Sequence, residues 1–319
     1  MNQKRELALQ ALRGALETRH LAGITKSDPI CVYDMAEKLG IEVKFCPYKS
    51  LGGIYAKASM TILLPARPHR PPGRQAFTCA HELAHWFFNH GTCVDDLNDI
   101  ESNHNNPDEF LADTYAGFLM MPRWAIDAAF TKRDWYPGVC SPLQIYTIAS
   151  QMGVGYETLI HHLHWSLRLI SANQAKQLLR TTPKKLRNDL LGINKTEHLV
   201  IADDAWNSSV AIDLQVDDVA ILPKGIDLEG SSVTIIAEHE LGMIIYGRMP
   251  GICRVEKTDG SWAAFIRVSR KNFEGRSIYR HMEDPDVHET SGTACDGDKS
   301  IIRLGTSLFE NNRTQSKQC

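Results

Sequence analysis

His81-Glu82-Leu83-Ala84-His85 places two imidazoles and a carboxylate within five residues. On an α-helix, at roughly 100° per residue, positions 81 and 85 stand one turn apart on the same face. Imidazoles so placed can grip one Zn²⁺ ion, and the glutamate after the first histidine can reach a water there and serve as general base. The neighbours Phe77, Ala80, Leu83, Ala84, Trp86, Phe87 and Phe88 are apolar. Ionisable groups in such a segment are costly to bury without a partner, and a metal ion is a natural one. The competing reading of the same residues is a solvated helix face.

A catalytic zinc takes three protein ligands and keeps a fourth position open. Segment 106–122 supplies a third. Asn106 suits an N-cap, Pro107 the first helical position, and Pro122 marks the stop. Within that helix Glu109 and Asp113 are spaced i, i+4 and share a face, while Phe110, Ala112, Ala116, Leu119 and Met120 can pack inward. Glu109 can complete a two-histidine, one-carboxylate site. Asp113 can accept a hydrogen bond from the free ring nitrogen of His81 or His85 and fix its tautomer. Alone, Glu109 reads equally well as a capping-box residue bonding back to Asn106. Beside His81 and His85 the ligand reading prevails.

Two strings carry a family resemblance: Phe77-Thr78-x-Ala80-His81-Glu82-Leu83-Ala84-His85, then Glu109-x-x-Ala112-Asp113-x-Tyr115-Ala116-x-x-Leu119-x-Met121-Pro122. Together they resemble the ImmA/IrrE family of metallo-endopeptidases over about residues 25–125. The resemblance implies a gluzincin-like, zincin-type core of helix, strands and His-Glu helix. It implies His81, His85 and Glu109 as ligands, Glu82 as base, and Asp113 at the position that orients a ligand histidine. It also implies a protein substrate such as a repressor-type transcription regulator, cleaved at few sites under stress or mobile-element induction. Tyr115 stands where Phe is commoner, and Trp86-Phe87-Phe88 is bulkier than the family's usual run.

The elements that must hold these groups follow from the pattern. A helix over 28–39, closed by Gly40, precedes strands at 41–45, 52–55 and 60–64, of which 60–64 is expected as an edge strand that aligns an extended substrate. Tyr55, His69 and His104 are the candidates for stabilising an oxyanion. Residues 123–130 continue as helix, and 131–138 form a loop. Helical runs over 141–152 and 156–170, interrupted by Gly153-Val154-Gly155, resemble a helix-turn-helix. The second run displays Glu157, His161, His162 and His164 but few cations, so packing on the peptidase core is favoured over DNA contact. Later cations at Lys176, Arg180, Lys184, Lys185 and Arg187 could still supply a basic face.

From about residue 196 the periodicity switches toward two. Strands are expected at 209–214, 219–222, 232–237, 242–247, 252–255 and 262–268, in a small sandwich or barrel that senses, docks or oligomerises. The expected fold is therefore α+β: a metallopeptidase domain over 1–135, a helical segment over 136–195, a β-rich accessory domain over 196–285 and a polar tail over 286–319. In the tail, Ile301, Ile302 and Leu304 could form one more strand.

Composition is that of an ordinary globular protein, with 43% hydrophobic and 23% charged residues in a chain of 319. A net charge of −3 provides no global drive toward nucleic acid or membrane. Eight cysteines are scattered with no Cys-x-x-Cys pair, which suits reduced thiols and a cytoplasmic enzyme. No secretory signal or membrane-length apolar run is visible. Mn²⁺ or Fe²⁺ would also suit the ligand set. The alternative class is a DNA- or protein-binding regulator acting through 141–190, its metal structural or conditionally active; an intact Glu82 argues for an enzyme.

Overall fold

The computed structural model describes residues 2–25, 27–49, 51–67, 69–91, 93–96, 106–192 and 198–283. The fold is α+β, with a helical N-terminal part and a β-rich C-terminal region. The chain divides into two compact units. The first takes residues 1–183, 204–211 and 271–280, and the second takes 184–203, 212–270 and 281–319.

In the first unit, helix α1 (Asn2–Leu21) and helix α2 (Val32–Lys38) precede a five-stranded sheet. Its strands are β1 (Glu42–Cys46), β2 (Leu51–Ala56), β3 (Thr61–Pro65), β4 (Cys93–Asp96) and β13 (Gly275–Arg276), in the order β13-β1-β3-β2-β4. Helix α3 (Pro72–Phe87) follows β3 and packs on β2 and β3. Helix α4 (Pro107–Met120) lies between α1 and α3 and packs on both. Helix α5 spans Arg123–Thr131.

The expected helix over 28–39 starts later, at Val32. The guanidinium of Arg19 donates to the carbonyls of Thr25 and Asp28, and Asn207 donates to the Asp28 carboxylate, so Asp28 is held outside the helix. The expectation of an edge strand over 60–64 is corrected. Met60 is left-handed (φ 51°), and β3 is hydrogen-bonded to β1 on one side and β2 on the other. Its backbone has no side left for an added strand; among the described residues the sheet ends at β4 and β13.

Helix α6 (Pro142–Met152) begins with a capping box between Ser141 and Gln144 and ends at left-handed Gly153. Helix α7 (Tyr156–His161) is shorter than the expected run to 170. A wide π-type turn follows over His162–Ser166, and Arg168 adopts φ 55°. The turn between α6 and α7 lies against the first turn of α3. A Cβ at Gly73 would stand 2.5 Å from the backbone of Val154 and Gly155, so glycine is required for this approach. Helix α8 (Ala172–Leu178) and helix α9 (Pro183–Leu191) complete the helical part.

The second unit holds two four-stranded sheets. One runs β5 (Leu199–Ile201), β7 (Val219–Leu222), β10 (Gly242–Gly247), β9 (Val233–His239). The other runs β6 (Ile212–Gln215), β12 (Ala263–Ser269), β11 (Gly251–Lys257), β8 (Ile226–Glu229). Alternation sets their buried face: Cys253 and Val255 of β11 and Ala264, Ile266 and Val268 of β12 are buried. The strand expected around 301–304 lies outside the described residues. Among the described residues no helix is long and apolar enough to cross a membrane.

Candidate active site

Helix α3 carries His81, Glu82 and His85 on its buried side, among Cys79, Ala80, Leu83 and Ala84. The Asn106 side chain accepts from the Asp108 N–H at 3.0 Å and caps α4, leaving Glu109 free to turn toward α3. The capping-box alternative for Glu109 is thereby displaced. Its carboxylate reaches 3.2 Å from His81 Nε2 and 3.7 Å from His85 Nε2, and the two Nε2 atoms are 3.0 Å apart. These three residues form the group among the described residues whose donor atoms converge, all within 4.8 Å.

The donor set suits a metal ion. Three ligands at 2.0–2.1 Å in tetrahedral directions stand roughly 3.3 Å from one another, and the observed separations bracket that length. Both outer ring nitrogens are engaged. His81 Nδ1 meets Asp113 Oδ1 at 2.9 Å, and His85 Nδ1 meets His90 Nδ1 at 3.0 Å. Protons on the two histidine Nδ1 atoms leave both Nε2 lone pairs facing the same point.

Electrostatics separate the two imidazoles. Burial opposes charge on His81, but hydrogen bonds to Asp113 and Glu109 outweigh it and raise its pKa well above the usual value. His85 is pushed down to about 4 by burial and by His81 beside it. The hydrogen bond to His81 holds the Glu109 carboxyl below its ordinary value. Like charges this close disfavour one another, so the pair does not take up two protons together.

Glu82 is wholly buried, and strand β2 passes close to it. A Cβ at Gly53 would stand 2.4 Å from Glu82 Oε1 and 2.7 Å from Thr78 Cγ2. Of the oxyanion candidates, Tyr55 is buried with its hydroxyl on Met60 Sδ at 3.3 Å, and His69 lies in the loop before α3. Among the described contacts neither reaches the trio. His104 lies outside the described residues.

Sequence reasoning missed Gly53 and His90. The signal for His90 was Asn89, a residue that tolerates the left-handed conformation at a helix end. Gly53 gave none beyond a glycine inside a strand pattern, which marks close approach of another group. The histidines at 161, 162 and 164 do not form a cluster. His162 is buried with Nε2 2.9 Å from the Met121 carbonyl, and His164 Nδ1 is 3.1 Å from the Ile170 carbonyl.

Two histidines one helical turn apart and a carboxylate from the next helix, with a buried glutamate beside the first histidine, make a group that could hold a metal ion. Its affiliation is narrower. Residues 36–164 match the peptidase family described as the IrrE N-terminal-like domain, and this match supports an ImmA/IrrE family metallopeptidase. Among curated proteins no match is found.

Proposed function

We propose that the chain is a zinc-dependent endopeptidase that cleaves a specific protein partner of the repressor-type transcription regulator class. The observation that carries the reading is the convergence of His81 Nε2, His85 Nε2 and the Glu109 carboxylate beside the buried Glu82. The partner class follows from the family resemblance.

His81, His85 and Glu109 would hold the ion, and Asp113 keeps His81 in the orientation that presents Nε2. A zinc ion in such a site acidifies water toward neutral pH and polarises a peptide carbonyl. Glu82 accepts a proton at a carboxylate oxygen and later delivers it to the departing amine. Gly53 stands close against that carboxylate. Strand β4, at the edge of the sheet beside β2, takes over the substrate-aligning role expected of 60–64, offering backbone donors and acceptors to an extended peptide. Scattered cysteines favour a cytoplasmic setting.

DNA binding through α6 and α7 is the lesser reading. Tyr156, Leu159 and Ile160 of α7 are buried, and the exposed positions Glu157 and His161 provide no fixed positive charge for phosphates. Incubation with repressor-type regulators, read by mass spectrometry of fragments, tests the proposal. One or a few cut sites, lost in Glu82→Gln and after chelation, are expected. Glu82-independent cleavage would contradict the mechanism, and intact regulators beside other cleaved proteins would contradict the partner class.

A further inference from the structure

Helix α3 ends in a Schellman motif whose last residue is a histidine. The His90 N–H donates to the His85 carbonyl at 3.0 Å, and the Asn89 N–H donates to the Trp86 carbonyl at 3.1 Å. Asn89 sits at the left-handed position with φ 58°, and Lys57 Nζ donates to its side chain at 2.6 Å. This motif brings the residue after the left-handed one over the last turn of the helix, where an apolar contact is usual. Here the facing pair is His90 and His85, with Nδ1 atoms 3.0 Å apart and ring centroids at 5.2 Å. Phe88 stacks on the His90 ring at 5.8 Å and limits its rotation.

Proton bookkeeping gives the contact a direction. For His85 Nε2 to offer a lone pair, the ring proton must reside on His85 Nδ1, so His90 Nδ1 must accept it. His90 then carries its own proton on Nε2, and that atom faces Asp108 Oδ1 at 3.8 Å. The His85–His90 junction pairs a donor with an acceptor at hydrogen-bond distance, while Asp108, at the first turn of α4, lies beyond that distance and faces the far side of the His90 ring as a nearby charge.

We propose that His90 is a positioning residue of the metal site, locking His85 in the tautomer and orientation that present Nε2. The inference rests on the metallopeptidase reading above. It makes the two ligand histidines unequal: His81 is oriented directly by a carboxylate, and His85 through an intervening imidazole.

The test uses the full chain and two nearly isosteric replacements. His90→Asn places an oxygen where Nδ1 stands, and His90→Leu places a methyl group there. Zn²⁺ affinity is read by competition with a chromophoric chelator, and ligand geometry by the visible absorption of the Co²⁺-loaded protein. His90→Leu should weaken Zn²⁺ about 10- to 100-fold and alter the Co²⁺ spectrum, while His90→Asn recovers most of both. If the leucine variant does not fold, His90→Ala carries the same prediction. Wild-type affinity with an unchanged Co²⁺ spectrum in the leucine or alanine variant would overturn the inference, as would an asparagine variant no better than leucine. Those results leave the metal reading standing if wild type binds Zn²⁺ and His81→Ala does not. A wild-type chain that binds no Zn²⁺ removes both.

Discussion

Gly53 and Glu82 meet across the packing of β2 on α3, and a Cβ on the glycine would lie 2.4 Å from Glu82 Oε1. Gly53→Ala should therefore displace the proposed base while leaving the ligand trio in place. A displacement of about 1 Å in a reacting group costs on the order of 100-fold in rate. Cleavage should fall by that order with metal content unchanged. An alanine variant that cleaves at the wild-type rate would show that Glu82 tolerates the shift.

Arg19 is buried, and its guanidinium donates to the carbonyls of Leu119, at 2.8 Å, and of Thr25 and Asp28. It closes the C-terminal end of α4 and fixes the loop before α2. Burial lowers its pKa to about 10, so it stays charged at neutral pH. Arg19→Met leaves those carbonyls without their charged donor and should destabilise the fold by about 3 kcal/mol. Urea unfolding checks this, and a midpoint shift of less than about 1 kcal/mol equivalent would contradict it.

His162 gives a pH dependence whose sign is fixed by burial. Desolvation lowers its folded pKa from 6.5 to about 4, against a favourable contact with the Met121 carbonyl. The unfolded chain therefore takes up this proton first as pH falls. Stability is unaffected above 6.5, declines below it, and the loss is complete under about 4. At about 1.4 kcal/mol per pH unit the cost is roughly 3 kcal/mol. Between pH 7 and 4, wild type should lose that much more than His162→Gln; parallel losses would contradict the account.

Residues 271–280 belong to the first unit although they follow most of the second. Strand β13 pairs with β1, Arg276 reaches Glu42 at 2.6 Å, Ser277 donates to Glu37 at 3.1 Å, and Arg280 reaches Asp34 at 3.0 Å. A chain ending at residue 195 should lose several kcal/mol and expose the β1 edge to self-association. Thermal melting and light scattering of the fragment check this; a monomer as stable as the full chain would contradict it.

The parts of the site that were legible in the sequence are those set by local periodicity and capping. The His81-Glu82-His85 helix, the Asn106 cap, Pro107 and the Glu109–Asp113 spacing each depend on residues within one or two turns. Strands 219–222 and 242–247 were legible as short apolar runs between turn residues. What escaped depends on distant pairing. The position of β3 inside the sheet follows from strand order, although its unbroken apolar run Ile62-Leu63-Leu64 was the mark of a strand covered on both sides. Helix α1 is tied down by Thr18, whose hydroxyl lies 2.6 Å from that of Tyr115, and by Arg19, two polar residues that local pattern assigns to solvent. β13 crosses more than 200 positions to reach β1, and nothing local announces it.

Metal content tests the central claim most directly. Wild type should carry about one zinc per chain, His81→Ala and Glu109→Ala should lose it, and Glu82→Gln should keep it while losing cleavage. Zinc retained by Glu109→Ala, or absent from wild type after purification with zinc present, would contradict the ligand set on which the account stands.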